Sequence, residues 1–274
     1  MDEVRFTEDD VRFIVETVAD RRQDRDHVVR LLLDKADLVE PLLDDERLLR
    51  RILEDEEVLV RISPRLLFTI LLRRVQRDLR DRPYTMERVG MTETVPVFDA
   101  SRVSQVLEDR KVLDYLTDLL ASFTRVNTWT LVHRRGSRLV RRRFCDLSLE
   151  DMVELAGLVE EAARFPVYRR IADIALFTSG VFPEYAGGAL SISRRGMAGM
   201  VPRGRVASLE EYEEEGRRFY RLASERPEAR EARLDRVLGF LAEEFPLARK
   251  PLTILSHQYI RWTTARWSRT SAPS

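Results

Sequence analysis

Hydrophobic residues recur along most of the chain at the three- and four-residue spacing of amphipathic helices. The clearest stripe follows Ser63-Pro64, a typical helix start because serine can cap the helix and proline needs no amide partner in the first turn. Apolar residues then recur from Leu67 to Leu79, with arginines on the opposite side. This pattern predicts a core-facing helix that ends near Arg82.

Further helix starts are indicated by a serine or threonine followed three residues later by a carboxylate. These capping patterns occur at Thr7, Ser148 and Ser208. Between residues 27 and 60, short apolar clusters alternate with acidic links, which predicts short helices with tight connections. Toward the C-terminus, the pattern predicts two helices at about residues 228–245 and 251–267.

The segment from Val167 to Val181 is apolar on every side. A helix of this kind is normally the centre of its domain. It is followed by Phe182 and Pro183, and Gly180 is expected to supply the left-handed residue that ends the helix, with Pro183 blocking its resumption. The sequence therefore predicts a central helix with a sharp stop.

Asp173 lies inside this apolar segment. Because an isolated buried charge is very costly, a structural role requires a partner, namely an arginine, a tyrosine or a helix-end amide. The alternative is a general base with a raised pKa, in which Asp173 or Glu184 acts beside a glycine-rich loop at residues 184–207. Ser179 is not a nucleophile elbow, because the Gly-x-Ser-x-Gly pattern and the preceding strand are missing.

The stretch from 128 to 144 changes character, since β-forming residues flank a glycine turn at Gly136. It predicts a β-hairpin with an arginine cluster near its tip. The arginines are Arg134, Arg135, Arg138, Arg141, Arg142 and Arg143. A basic β-wing can follow phosphates without reading sequence, so nucleic acid is a candidate partner. The alternative is a solvated surface that pairs with acidic helices.

Another extended stretch contains Pro96, which excludes it from the centre of a sheet.

The composition adds that the chain is soluble and globular, with 44% hydrophobic and 34% charged residues. A length of 274 residues permits one large domain or two closely packed lobes. We predict a mostly α, compact, multi-helix fold with one β-hairpin. The division is an N-terminal helical lobe at 1–95 and a hairpin with a C-terminal helical lobe at 96–274, or alternatively one continuous domain.

The net charge and the small numbers of cysteine and histidine limit the kinds of function that we expect for this chain. The 47 basic and 47 acidic side chains cancel, so no whole-molecule field favours nucleic acid or an anionic membrane. Cys145 is the one cysteine, which excludes an internal disulfide and fits a reducing cytoplasm. No uncharged apolar run approaches the ~20 residues of a membrane span. The three histidines form no zinc motif and no phosphate loop is present, so neither a metal nor a cofactor is expected, while a magnesium site made of carboxylates alone stays open as the alternative.

Three segments resemble ordered landmarks of an uncharacterised family of bacterial helical proteins. They are ADIALFTSGVFPE, EEYEEEGRRFY and ARKPLTILSHQYI, and together with PVFDASRV and YLTDLLASFTRV before them the resemblance covers roughly residues 96–262. Its landmark residues are Asp173, Ser179, Gly180, Phe182, Pro183, Tyr212, Gly216 and Tyr220. The resemblance implies a shared helical fold and no activity. Independently, Gly216 within a helix costs about 1 kcal/mol relative to alanine, which predicts close backbone packing there.

No recognised catalytic constellation is found in the sequence, and no residue is assigned a catalytic role. We therefore expect a cytoplasmic, non-enzymatic protein that acts through contacts with a protein partner or as a regulatory scaffold. Two alternatives stay open. One is a nucleic-acid-binding protein that uses the arginine-rich hairpin, and the other is an enzyme with an acidic site near the glycine-rich loop.

Overall fold

The computed structural model describes residues 6–20, 24–89, 93–125, 127–135, 138–183 and 208–260, which confirm the mostly α fold. The α-helices are α1 Glu8–Val18, α2 Arg25–Asp34, α3 Glu46–Glu54, α4 Glu56–Arg61, α5 Pro64–Arg80, α6 Ala100–Glu108, α7 Arg110–Ser122, α8 Leu149–Leu158, α9 Arg164–Val181, α10 Leu209–Ser224, α11 Pro227–Glu231, α12 Asp235–Glu243 and α13 Phe245–Leu255. Short 3-10 turns occupy Ala36–Leu38, Glu40–Asp44 and Glu161–Ala163, and a π-helical turn, Ser256–Ile260, follows α13.

Two antiparallel hairpins complete the fold within the described residues. Strands β1 Thr85–Val89 and β2 Glu93–Val97 form one, and β3 Thr128–Arg135 and β4 Arg138–Cys145 form the other. The second hairpin is the one predicted from the sequence. The first adds a hairpin to the one that was predicted, since only the stretch around Pro96, which holds β2, was expected to be extended. Pro96 fits there because both strands of a two-stranded sheet are edges.

The predicted helix caps are present, and one of them reaches far across the chain. Thr7 and Asp10 form a reciprocal capping box at the start of α1. The other oxygen of the fully buried Asp10 accepts the amide of Ser63 at 2.7 Å, and Ser63 itself caps α5 by accepting the amide of Leu66. One carboxylate thus joins the beginnings of two helices and satisfies a backbone amide at each of them.

The C-terminal helices differ from the prediction of two helices at 228–245 and 251–267. Arg233 has a φ of 57°, and this left-handed residue separates α11 from α12. Helix α13 begins at Phe245 and continues through Pro251. Pro246 in its first turn is the proline that marks the start, because a first-turn residue needs no amide partner. Residues 261–267 lie outside the described residues.

The hydrophobic core extends from Phe6 to Leu255, and α9 lies in its interior, packed against α8, α10 and α13. Polar contacts cross the predicted boundary between lobes, and two of them are made by the C-terminal residues Tyr259 and Lys250. The hydroxyl of Tyr259 donates to Asp78 of α5 at 3.1 Å, and Lys250 of α13 reaches β1. The division at residue 95 stays a prediction beside the single-domain alternative.

Candidate functional site

Asp173 lies in the core at the middle of α9, with 7% of its surface exposed. Its Oδ1 atom accepts two hydrogen bonds, from the hydroxyl of Tyr115 on α7 at 2.7 Å and from that of Tyr220 on α10 at 2.9 Å. The two tyrosine rings also meet edge to face, 6.2 Å apart. Of the partners left open by the sequence, tyrosine is the one that the structure provides. One carboxylate oxygen therefore joins three helices.

The environment of this network shifts the pKa of all three of its ionisable groups. Burial raises the pKa of Asp173 above its ordinary value, although Arg169 and the two hydroxyl donors oppose the shift. Burial, followed by the charge of Asp173, raises the pKa of Tyr115 and Tyr220 well above the ordinary range. Both hydroxyls therefore stay protonated at neutral pH and can act only as donors to the carboxylate.

The end of α9 is set by distant hydroxyls rather than by Gly180, which corrects the sequence prediction. Gly180 is an ordinary helical residue, and α9 continues to Val181. The carbonyl of Gly180 accepts the hydroxyl of Thr253 at 2.9 Å, and that of Val181 accepts the hydroxyl of Ser256 at 2.7 Å. These side chains satisfy carbonyls that the helix end leaves unpaired. Glycine is required at position 180 by packing, because a Cβ atom there would lie 2.8 Å from Leu252.

The other family-like landmarks also have packing roles in this core. Ser179 is fully buried and its hydroxyl donates back to the carbonyl of Ala175 at 2.7 Å. Phe182, which precedes Pro183, packs edge to face on Phe177. Tyr212 is also buried, and burial raises its pKa.

The prediction of close packing at Gly216 is confirmed. A Cβ atom there would lie 2.2 Å from the ring of Phe245. The three segments that carry the family resemblance thus pack on one another around α9.

The β3–β4 hairpin separates its arginines between two faces. The cross-strand pairs Leu131–Arg142 and Val132–Arg141 are neighbours in the register, so Arg141 and Arg142 point to opposite faces. Arg142 pairs with Glu154 of α8 and lies over the ring of Phe144. Arg141 and Arg143 are exposed on the other face. The predicted arginine cluster is therefore two surfaces, and the side chains of Arg134, Arg135 and Arg138 lie outside the described part of the chain.

Arg170 of α9 fastens the base of this hairpin. Its guanidinium contacts Asp146 twice, donating to the backbone carbonyl at 2.9 Å and to the carboxylate at 3.2 Å. It also lies 4.0 Å from the centre of the Phe123 ring. Asp146 in turn accepts the amide of Asn127, the residue before β3, at 2.9 Å. Because Asp146 is buried and is paired with Arg170, the base of the ribbon is held against α9.

The β1–β2 hairpin has an exposed apolar face that the sequence analysis missed. Met86 is directly opposite Pro96, and the rings of Tyr84 and Phe98 meet edge to face just beyond the last pair of the strands. Phe98 is 79% exposed and Met86 is 53% exposed. The available signal was the two-residue alternation of Tyr84 with Met86 and of Pro96 with Phe98. We call these four residues the outer face of the β1–β2 hairpin.

The opposite side of the same hairpin is anchored by a buried lysine. Lys250 of α13 pairs with Glu87 of β1 and with Asp99 at the start of α6. The other oxygen of Asp99 accepts the hydroxyl of Thr85 at 2.6 Å. Since Lys250 and Thr85 are both buried, these contacts hold the hairpin against the helical body. The outer face is therefore presented on an ordered support.

Replacing Lys250 by methionine should lower the free energy of unfolding by about 1–2 kcal/mol, measured by urea denaturation. The methionine preserves the packed stem but leaves the carboxylate of Asp99 in the interior without its cation. The cost is moderated because Glu87, which is 36% exposed, can be solvated again. Lys111→Met on the exposed side of α7 is the matched control. Equal effects of the two substitutions would contradict the anchoring role.

A groove of about 350 Å³ lies between α5 and α7, and charged side chains that line it form ion pairs with one another. Arg73 donates to Asp44 at 2.9 Å, and Arg110 donates to Glu40 at 2.7 Å. These contacts connect the 3-10 turn at Glu40–Asp44 to both helices. The groove is therefore better described as a set of ion pairs between elements than as an anion site.

Several expectations concern parts of the chain without described structure. Glu184 and the glycine-rich stretch at 184–207 lie outside the described residues. Among the residues that are described, no group of three or more His, Cys, Asp or Glu side chains is arranged to hold a metal ion. None of the described helices is both long and apolar enough to cross a bilayer. Comparison of the chain with protein-family models, with curated proteins and with solved structures gives no match.

Proposed function

We propose that this protein is a non-enzymatic interaction protein of the cytoplasm, and that the outer face of the β1–β2 hairpin contacts a protein partner. The observation that carries the proposal is the combination of exposed Met86 and Phe98 with a buried ionic anchor behind them. Contiguous exposed apolar side chains on a soluble protein commonly mark a contact surface. The anchor keeps the face ordered before binding, which lowers the entropic cost of association.

The buried position of Asp173 supports a non-catalytic role for that residue. Its Oδ1 atom is occupied by two hydroxyl donors, and a general base must instead be within reach of a substrate proton. Ser179, whose hydroxyl is bonded within its own helix, offers no nucleophile beside it. The partner implied by the outer face is a protein with a complementary apolar surface.

A photo-crosslinking amino acid at position 98 tests the proposal in the native host. We expect a discrete crosslinked product between the chain and a different protein, because the side chain at this position lies at the centre of the contact. The same crosslinker at Val60, which is 89% exposed on α4, is the control. Adding Met86→Ser should reduce the product from position 98 at least severalfold.

Two results would contradict the proposal. One is the same pattern of products from positions 98 and 60, which would show that exposure alone determines the crosslinks. The other is a product that contains only two copies of this chain, which would assign the outer face to self-association.

A further inference from the structure

The β3–β4 hairpin is strongly basic, although the chain as a whole has no net charge. Residues 128–145 contain six arginines and no acidic residue. Since the whole chain has 47 basic and 47 acidic side chains, the remaining residues have a formal net charge of −6. The hairpin is therefore a basic ribbon on an acidic body, although the net charge of the whole molecule conceals this.

One face of the ribbon displays arginines without carboxylate partners among the described residues. Arg141 is opposite Val132 and Arg143 is opposite Thr130, and all four residues are exposed. Arg142, on the other face, is the arginine that Glu154 neutralises. The exposed face thus offers two guanidinium forks, with a threonine hydroxyl beside them, directly to solvent.

The spacing of these groups suits a nucleic-acid backbone. Residues two apart on one strand are separated by roughly 6.8 Å, which is comparable to the distance between successive phosphates. Arginine forks and threonine hydroxyls are common donors to phosphate oxygens. We propose that the exposed face of the β3–β4 ribbon, through Arg141 and Arg143, binds the phosphate backbone of duplex nucleic acid.

The shape of the ribbon favours a duplex. Each strand has eight residues, so the ribbon is roughly 27 Å long at about 3.4 Å per residue. A two-stranded β-ribbon fits the major groove of B-form DNA. Its base is fixed by Arg170 and Asp146, so the ribbon is ordered before it meets a ligand.

A polyanion fits this face better than an acidic protein does. The ribbon has no carboxylate along its whole length, and its charge continues in sequence toward the turn through Arg134, Arg135 and Arg138. Arginines at alternate positions of one strand, with no acidic side chain between them, are complementary to a regularly charged polymer. Phosphate contacts also carry no sequence information, so the interaction is not sequence-specific.

Fluorescence anisotropy with the full chain and a labelled 20-base-pair DNA duplex of arbitrary sequence tests this proposal. Arg141→Ala with Arg143→Ala should weaken binding by roughly tenfold to a hundredfold at 0.1 M salt. The slope of log K against log salt should become less negative by about 2, because two phosphate contacts are lost. Thermal unfolding should not change, since the side chains are exposed.

Arg50→Ala with Arg236→Ala is the matched control, because it removes the same charge from exposed sites on α3 and α12. The control should bind the duplex with nearly the affinity and salt slope of the unmodified protein. Equal losses in the two double variants would overturn the proposal, as would the absence of salt-sensitive binding to the duplex. Stronger binding to single-stranded DNA or to polyglutamate than to the duplex would also overturn it. The outer face of the β1–β2 hairpin is not involved, so the two proposals fail independently.

Discussion

Replacing Asp173 by alanine is expected to lower the free energy of unfolding by about 3 kcal/mol or more. The substitution leaves the hydroxyls of Tyr115 and Tyr220 without their acceptor in a closed interior, and each unsatisfied buried group costs about 1–3 kcal/mol. Urea denaturation of the purified variant measures the loss. Tyr115→Phe and Tyr220→Phe, which each remove one donor, should cost about 1 kcal/mol apiece.

Asp173→Asn separates the role of the hydrogen bonds from the role of the charge. The amide oxygen can still accept both tyrosine hydroxyls, so at pH 7 the loss should stay within about 1 kcal/mol. A loss equal to that of the alanine variant would show that the negative charge itself, rather than the acceptor oxygen, holds the three helices together.

The difference in stability between the unmodified protein and Asp173→Asn should depend on pH, and the pKa of Asp173 determines the sign of this dependence. Because burial raises the folded-state pKa of Asp173 above the reference value of 3.8, the folded protein binds this proton more readily than the unfolded chain does. The resulting stabilisation is fully present below pH 3.8 and is lost as the pH rises through the folded-state pKa. Relative to Asp173→Asn, the unmodified protein should therefore gain stability on acidification from pH 7. A relative gain with rising pH would show that Arg169 outweighs burial.

Replacing Gly216 by alanine should destabilise the protein by about 2–3 kcal/mol, because overpacking a filled core usually costs about 1–3 kcal/mol. The new methyl group would lie 2.2 Å from a ring carbon of Phe245 and 3.2 Å from Ala175. Phe245 is fully buried, so its ring cannot move aside without shifting α13. The loss exceeds the helix-propensity gain of about 1 kcal/mol that alanine brings. Thermal or urea unfolding provides the measurement.

Gly157→Ala and Gly239→Ala are matched controls for this prediction. Both glycines are helical, and a Cβ atom added at either position meets no atom within 4 Å. These variants should gain up to about 1 kcal/mol, since alanine restricts the unfolded chain and favours the helix. A stabilising Gly216→Ala, in line with the two controls, would contradict the close approach of α10 and α13.

Features encoded by neighbouring residues could be predicted from the sequence. The capping pairs that start α1, α8 and α10 lie within three residues of each other, and the β3–β4 hairpin follows from one glycine turn between β-forming runs. The interior position of α9 follows from its apolar character on every side. In each case the residues that determine the structure lie close together in one short segment of the sequence.

Features that depend on distant partners could not be predicted in the same way. The carbonyls that end α9 are satisfied by hydroxyls 73 and 75 residues away, so a local interpretation assigned the stop to Gly180. Lys250 and Asp99 are 151 residues apart, and neither residue signals the other. The sequence could restrict Asp173 to a few kinds of partner, but the choice of tyrosine required the packing of α7 and α10 on α9.

The separation of charge between ribbon and body also affects how copies of this molecule behave toward one another. Electroneutral as a whole, the protein combines six arginines in the ribbon with a formal charge of −6 in the rest of the chain, and it has no monopole repulsion to keep neighbours apart. Head-to-tail attraction between molecules is then favoured in dilute buffers, where the Debye length reaches about 30 Å at 0.01 M ionic strength, and fades at 0.15 M, where it is about 8 Å. The colloidal stability of concentrated solutions should accordingly improve when salt is added.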